Sequence, residues 1–157
     1  VVFHLFVEGE IGYVAGETHG LIAAVADQSS GIRWFNGSYV TTGATSTAVG
    51  TGSANTTTII AEQGATSTSY AAGLARAYTD GTYTDWFLPS KDELNLMYQN
   101  IGPGDELGLG NVGNFSTNGY WSSTEYNGDY AWGQDLQDGQ YDFSKDDTIY
   151  VRAVRAF

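Results

Sequence analysis

Glycine divides this chain into short segments. Twenty-one glycines separate apolar and aromatic runs that are themselves short. Glycine favours turns, whereas short runs rich in aromatic and β-branched residues favour strands. The chain has no cysteine, so disulfide bonds and thiolate metal ligands are excluded and side-chain packing must stabilise the fold. The pattern predicts a turn-rich domain that contains β-strands.

Length and charge narrow the classes of partner. With 157 residues, of which 41% are hydrophobic, the chain can bury one core, and a single domain over residues 1–157 is expected. The net charge of −12 argues against binding nucleic acid or inserting into an anionic membrane, because both need basic residues. Charged residues make up only 15% of the chain, which is low for a cytosolic protein. An extracellular or cell-surface location is therefore expected, and the short apolar run at the start favours a mature or excised domain over a signal peptide.

Several short runs have the composition of strands. Strands are predicted at Val1–Val7, Leu21–Ala26, Ile32–Tyr39, Tyr120–Thr124, Ala131–Leu136 and Tyr150–Phe157. The first of these is either a buried strand or one that inserts into a neighbouring subunit of a fibre. Thr41–Thr58 consists almost wholly of Thr, Ser, Gly and Ala, so a surface loop suited to O-linked sugars is expected there.

Two segments carry helical signals. Tyr70, Leu74 and Tyr78 are spaced by four residues and predict one apolar stripe. Asn55, with Ile59 and Ile60, is a candidate for the upstream start of this helical region. Ser90–Glu93 has the Ser-x-x-Glu pattern of a capping box, in which the hydroxyl and the carboxylate satisfy free backbone amides. Apolar residues follow it at helical spacing, so a helix is predicted over Lys91–Asn100.

A series of motifs points to one family. The motifs are Gly12-Tyr-Val-Ala-Gly-Glu-Thr-His-Gly20, Asp85-Trp-Phe-Leu-Pro-Ser-Lys-Asp-Glu-Leu94, Gly119-Tyr-Trp-Ser-Ser-Thr-Glu125, Tyr130-Ala-Trp132 and Val151-Arg-Ala-Val-Arg155. In this order they resemble the Lcl C-terminal-like domain family, which is named after a bacterial collagen-like adhesin. The resemblance implies an α+β, C-type-lectin-like fold, with a twisted antiparallel sheet, two helices and long irregular Gly/Asp-rich loops.

The residues do not favour an enzyme. Formylglycine-generating enzymes share this broad fold, but their chemistry depends on cysteines that are absent here. His4 lies in an apolar strand and His19 in a turn, and neither has an evident Ser or Cys partner. No catalytic residue is predicted.

The last third of the chain has the composition of a binding surface. Aromatic rings can stack on the C–H faces of sugars, amides and carboxylates can bond hydroxyl groups, and the same mixture suits protein contacts. The predicted ligand-binding residues are Tyr126, Asn127, Asp129, Tyr130, Gln134, Asp138, Gln140, Tyr141 and Asp142. They are expected on loops between strands, and the tyrosines are expected to be exposed.

The net charge also bears on the class of ligand. Adhesins of the resembled family are associated with sulfated polysaccharide, but a charge of −12 favours neutral glycans, surface proteins or neighbouring copies of the chain instead. The sequence thus predicts an adhesion or binding module. The alternative is a self-assembling structural subunit of an extracellular filament, with or without attached sugars.

Acidic residues also raise the question of a metal. Between Glu125 and Asp147 the chain has seven carboxylates and one cation, Lys145. Calcium prefers such oxygen ligands, but no Asp-x-Asp-x-Asp-Gly loop is present, so a solvated acidic loop is the alternative. The candidate calcium ligands are Asp135, Asp138, Asp146 and Asp147.

Two further expectations concern the core. Trp121 and Trp132 are predicted to be core tryptophans. Arg152 and Arg155 are expected on opposite faces of a strand, so at most one is buried. The buried arginine would need an acidic partner, and either Glu93 or Glu125 is predicted.

Overall fold

The computed structural model describes residues 1–64, 66–137 and 139–157. Its strands are β1 (Val2–Leu5), β2 (Gly20–Ala23), β3 (Ser29–Ile32), β4 (Gly119–Glu125), β5 (Tyr130–Asp135), β6 (Gly139–Ser144), β7 (Ile149–Val151) and β8 (Val154–Ala156), and its helices are α1 (Gly52–Gln63), α2 (Ala71–Ala77) and α3 (Lys91–Ile101). The chain is therefore of the predicted α+β class. The described residues form three helices, whereas two were expected.

The described strands form two sheets. One sheet has the order β1-β2-β8, and the other has the order β3-β7-β4-β5-β6. The pairing of β4 with β7 is parallel, which departs from the expected antiparallel sheet. The predicted strand Tyr150–Phe157 is wrong as a single element, because β7 and β8 join different sheets. Arg152 and Ala153 lie between them and are both buried.

Helix α1 replaces the second half of the predicted Thr41–Thr58 loop. Its buried face consists of Gly52, Asn55, Thr56 and Ile59. The Thr56 hydroxyl donates to the Gly52 carbonyl at 2.8 Å, so this polar side chain is satisfied within the helix. The loop prediction was wrong here because the buried face is mostly polar or small, which leaves no apolar period in the sequence.

Helix α3 begins as predicted. The Glu93 amide donates to Ser90 Oγ at 3.3 Å, and the Ser90 amide donates to Glu93 Oε2 at 2.8 Å. Both bonds of the capping box are therefore present. Leu94 and Met97 are buried under the helix, and the predicted helix is confirmed with an end one residue later, at Ile101.

Two apolar clusters form the core. Trp34 and Trp121 belong to the first, and their indole N–H groups donate to the carbonyls of Ser122 and Ile32 at 2.9 and 2.8 Å. The second cluster contains Phe3 and packs beneath α3. Trp121 is a core tryptophan as predicted.

The strand predicted over Ile32–Tyr39 is wrong beyond Ile32. Strand β3 ends there, and the Trp34 side chain that follows packs into the core.

Candidate recognition surface

Strands β4, β5 and β6 form an antiparallel meander with two different faces. Trp132 of β5 pairs with Asp142 of β6, and Gly133 pairs with Tyr141. Because side chains alternate across a strand, Trp132 and Asp142 share one face, whereas Tyr141 lies on the other. Trp121 packs against Phe143 on that other face, with ring centroids 5.9 Å apart. The first face, which carries Trp132, is named the α3 face because helix α3 lies against it.

Contacts from α3 locate this face. The Lys91 ammonium lies 3.4 Å from the centroid of the Trp132 ring, a cation–π contact. The Gln140 side chain donates to the Lys91 carbonyl at 2.8 Å. Tyr126 meets the edge of Trp132, with centroids 5.4 Å apart and rings at 84°. Trp132 is half-buried rather than a core residue, so its predicted core position is corrected.

Two tyrosines project beside Trp132 into solvent. Tyr126 is 53% exposed and Tyr130 is 40% exposed. They flank the turn between β4 and β5, where the amides of Tyr126 and Asn127 both donate to the Tyr130 carbonyl at 3.0 and 3.1 Å. Asn127 Oδ1 accepts from the amides of Asp129 and Tyr130 at 2.8 and 2.9 Å. Residues 126–130, named the recognition turn, are therefore fixed by their own hydrogen bonds.

A buried ion pair lies beneath the recognition turn. Lys145 Nζ donates to Glu125 Oε1 at 2.7 Å, and both side chains are shielded from solvent. The amides of Thr42 and Gly43 also donate to this carboxylate, at 2.8 and 2.9 Å. Burial opposes ionisation of Glu125, but the Lys145 ammonium and these amides outweigh it and lower the pKa of the carboxyl group.

The predicted ligand residues are thus distributed over several places. Tyr126, Asn127, Asp129 and Tyr130 are together on the recognition turn. Gln140 and Asp142 follow on the α3 face, but on strand β6 rather than on a loop. Tyr141 is 46% exposed on the opposite face. Gln134 is completely buried and cannot touch a ligand at the surface. Asp138 lies outside the described residues.

The candidate calcium ligands do not converge. Asp135 pairs with Gly139 at one end of the β5–β6 hairpin, whereas Asp146 and Asp147 bond Ser144 at the other end. Asp138 again lies outside the described part of the chain. Within residues 1–64, 66–137 and 139–157, no group of three or more His, Cys, Asp or Glu side chains is arranged to hold a metal ion.

The buried arginine has a different partner from those predicted. Arg152 Nε donates to Asp27 Oδ1 at 2.7 Å, and its Nη1 donates to the carbonyls of Ala24 and Gly113 at 3.0 and 2.8 Å. Asp27 therefore takes the place expected for Glu93 or Glu125. Arg155 is the outer arginine, and its Nε donates to Asp85 at 2.6 Å.

Glu93 is buried, and no cation pairs with it among residues 1–64, 66–137 and 139–157. Its carboxylate accepts from the amides of Ser90, Gly50 and Gly52 at 2.8, 2.8 and 3.4 Å. Burial raises the pKa of Glu93 to about 7, although the three amides act in the opposite direction. This carboxylate joins the start of α3 to the start of α1.

The two histidines contact acids and a carbonyl. His4 Nε2 lies 2.7 Å from Glu10, and His19 Nε2 lies 2.7 Å from Glu17. His19 Nδ1 also contacts the Phe157 carbonyl at 3.0 Å. The Glu17 carboxylate and this carbonyl raise the pKa of His19. In none of these contacts does a hydroxyl nucleophile face an imidazole.

Two lysines that support this surface, Lys91 and the buried Lys145, are not among the site residues predicted from the sequence. In the sequence, Lys91 is recognisable only as a residue of the predicted helix. Its contact with Trp132 could not be predicted, because it depends on how α3 packs on β5. Lys145 carried a usable signal, because it is the one cation among seven carboxylates. A lone lysine in such a segment could have been predicted to pair with one of them.

Comparison with known proteins gives one clear relationship. The family model described as Lcl C-terminal domain matches residues 23–155, a range that includes α3, the recognition turn and Lys145. No curated protein matches the chain. Within the described ranges, no helix is both long and apolar enough to cross a membrane.

Proposed function

We propose that this chain, which belongs to the Lcl C-terminal domain family, is a non-enzymatic adhesion module that binds a glycan or a surface protein outside the cell. The proposal includes a C-type-lectin-like arrangement of its α+β fold. The contact surface consists of the recognition turn and the adjoining part of the α3 face, where Trp132 and Asp142 pair across β5 and β6.

One observation carries the proposal: two exposed tyrosines stand on a turn that is already fixed. Tyr126 and Tyr130 are the exposed rings, and Asn127 holds the backbone between them. Tyrosine supplies large contact area at low entropic cost, and a preformed turn avoids the cost of ordering a loop on binding. A surface of this kind is suited to recognition rather than to packing within the domain.

The chemistry of the surface favours a neutral, hydroxyl-rich ligand. Tyrosine rings can pack on C–H groups, while the Asp129 and Asp142 carboxylates can accept bonds from hydroxyls. The Lys91 ammonium already covers one side of Trp132, so the two tyrosines offer the freer rings. The overall charge of −12 disfavours a sulfated ligand.

A binding screen tests this function. The unmodified protein and a Tyr126→Ala/Tyr130→Ala variant are compared on a glycan array and on a panel of surface proteins. Tyr141→Ala is the matched control, because Tyr141 has similar exposure but lies on the opposite face of the same hairpin. We expect the double variant alone to lose the signals. Equal loss in the control would contradict the proposed surface.

A second candidate function is a structural subunit that assembles with its own copies. The observation in its favour is a run of exposed apolar residues near the N-terminus. These are Val1, Val2, Leu5, Val7, Ile11, Tyr13 and Val14. Exposed apolar patches mark interaction surfaces. Insertion of this segment into a neighbour is the less favoured route, because β1 pairs with β2 of its own chain and Asn100 donates to the Phe3 carbonyl at 2.9 Å.

Assembly can be tested separately from ligand binding. Negative-stain microscopy and sedimentation velocity of the unmodified protein distinguish fibres from dispersed particles. Ile11→Asp should dissolve any assembly formed through the N-terminal patch. Leu107→Asp is the matched control, because both residues are 60% exposed. Dispersed particles at all concentrations would remove this second function.

A further inference from the structure

The Lys145 side chain is enclosed by oxygen atoms from two parts of the chain, residue 40 and residues 125–128. Its Nζ donates to the Val40 carbonyl at 2.9 Å, to the Gly128 carbonyl at 2.9 Å and to Glu125 Oε1 at 2.7 Å. The side chain is completely buried. A lysine ammonium has three N–H donors, so each donor has an oxygen acceptor.

The groups around the Lys145 ammonium favour a positive charge at this position. The Trp34 ring lies 4.7 Å from the ammonium, and the negative face of an aromatic ring attracts cations. Glu125 is held ionised by the amides of Thr42 and Gly43. A neutral group at the same place would leave this buried carboxylate without a counter-charge.

The three oxygen atoms belong to two stretches that are far apart in the sequence, one around residue 40 and one over residues 125–128. Val40 begins the stretch that leads to α1, Glu125 ends β4, and Gly128 is the centre of the recognition turn. Carboxylate and backbone carbonyl oxygens are the ligands that a bound cation such as calcium prefers. Here the cation is attached to the chain itself.

We propose that the Val40 and Gly128 carbonyls and the Glu125 carboxylate form a cation site that Lys145 fills permanently with its own ammonium group. The recognition turn is therefore held in place by a covalently tethered cation, and calcium is not needed to order it. This inference does not depend on the proposed ligand, because it concerns only how the turn is supported.

The neighbouring carboxylates already have hydrogen-bond partners, so they offer few ligands to an added metal ion at this site. Glu125 already accepts from the ammonium, two amides and the Thr42 hydroxyl. In the turn after β6, Asp147 accepts from the Ser144 amide and Asp146 accepts from the Ser144 hydroxyl. Calcium takes six to eight oxygen ligands, and it would have to displace the lysine to reach those around Nζ.

The first test uses the unmodified protein. The chain has two lysines, Lys91 and Lys145, which act as test and internal control in an ammonium-selective ¹H–¹⁵N NMR spectrum. We expect one slowly exchanging ammonium signal that disappears in Lys145→Arg and persists in Lys91→Arg. We also expect the signal and the melting temperature to be the same in calcium and in a chelator. Loss of the signal on adding calcium, or a melting temperature raised by calcium, would overturn the proposal.

The second test asks whether the site accepts a free cation. Lys145→Ala removes the tethered ammonium and leaves space, so its melting temperature should rise with added ethylammonium. Lys145→Met fills the space with an uncharged side chain and should not respond. Tetramethylammonium, which has no N–H donors, controls for ionic strength. Equal responses of the two variants to ethylammonium would contradict the cation site, and if Lys145→Ala does not fold, the NMR experiment still decides.

Discussion

Glu93 and Glu125 are both buried carboxylates, but they are held by different partners. Glu125 has the Lys145 ammonium and two loop amides, and its pKa is lowered. Glu93 is held by three backbone amides, and burial raises its pKa to about 7. The Lys145 ammonium thus helps to lower the pKa of Glu125, whereas the amides around Glu93 do not offset the effect of its burial. The first carboxylate supports the recognition turn, and the second supports the junction of α1 and α3.

Removing the cation should have the largest effect on stability. Lys145→Met leaves the Glu125 carboxylate buried beside two carbonyls that have lost their donor, which should cost about 3–5 kcal/mol of unfolding free energy. Chemical denaturation measures this change. Lys91→Met is the matched control, because Lys91 is only half-buried and its contact with Trp132 should contribute less than about 1 kcal/mol. Equal losses in the two variants would remove the distinction between the two lysines.

The two glutamates should give opposite dependences on pH. The pKa of Glu93 is raised to about 7 from an ordinary value of 4.5, so its contribution to stability is present below pH 4.5 and is lost as the pH rises through 7. The loss should be about 3 kcal/mol. Glu125 has a lowered pKa, so its contribution is present above 4.5 and is lost as the pH falls below that value.

A matched variant isolates the Glu93 effect. Unfolding free energies of the unmodified protein and of Glu93→Gln are measured between about pH 4 and about pH 8, the range over which Glu93 titrates. The stability of the unmodified protein relative to Glu93→Gln should fall with rising pH. A constant difference would show that Glu93 keeps one protonation state throughout.

The cap of α3 should contribute less than either glutamate. Ser90→Ala removes the acceptor of the Glu93 amide and the hydroxyl that donates to the Ala48 carbonyl at 2.9 Å. The expected loss is about 1–2 kcal/mol, measured by thermal melting. Ser38→Ala, at an exposed position, should leave the melting temperature unchanged. A similar result for both variants would mean that the cap is not stabilising.

Local patterns in the sequence predicted local structure well. Ser90 and Glu93 lie three residues apart, so the capping box and the start of α3 could be predicted from spacing alone. Helix α1 was predicted only in part, from Asn55, Ile59 and Ile60, because Asn55 and Thr56 face the core and their polar character hides the helical period. No rule of spacing predicts burial of polar side chains whose partners are distant in sequence.

Contacts between residues that are far apart in the chain could not be predicted from the sequence. Arg152 bonds Asp27 across 125 residues, and one sequence offers no means of choosing Asp27 over Glu93 or Glu125. The division of the ligand residues between two faces depends on the register of β5 and β6, in which Gly133 meets Tyr141. Composition shows that the tyrosines belong to one segment of the chain. The strand register is needed to show that Tyr141 lies on the opposite face of the hairpin from the recognition turn tyrosines.

The measurement that tests the account most directly compares binding and stability in a single tyrosine variant. Tyr130→Ala should weaken binding of a ligand found in the screen by about 1–3 kcal/mol, or roughly 5-fold to 150-fold. Its melting temperature should stay close to that of the unmodified protein, because Tyr130 is exposed. Calorimetric titration and thermal melting on the same sample give both values. Unchanged affinity, or a loss of affinity that accompanies unfolding, would contradict the claim that the recognition turn binds while the buried Lys145–Glu125 pair holds it in place.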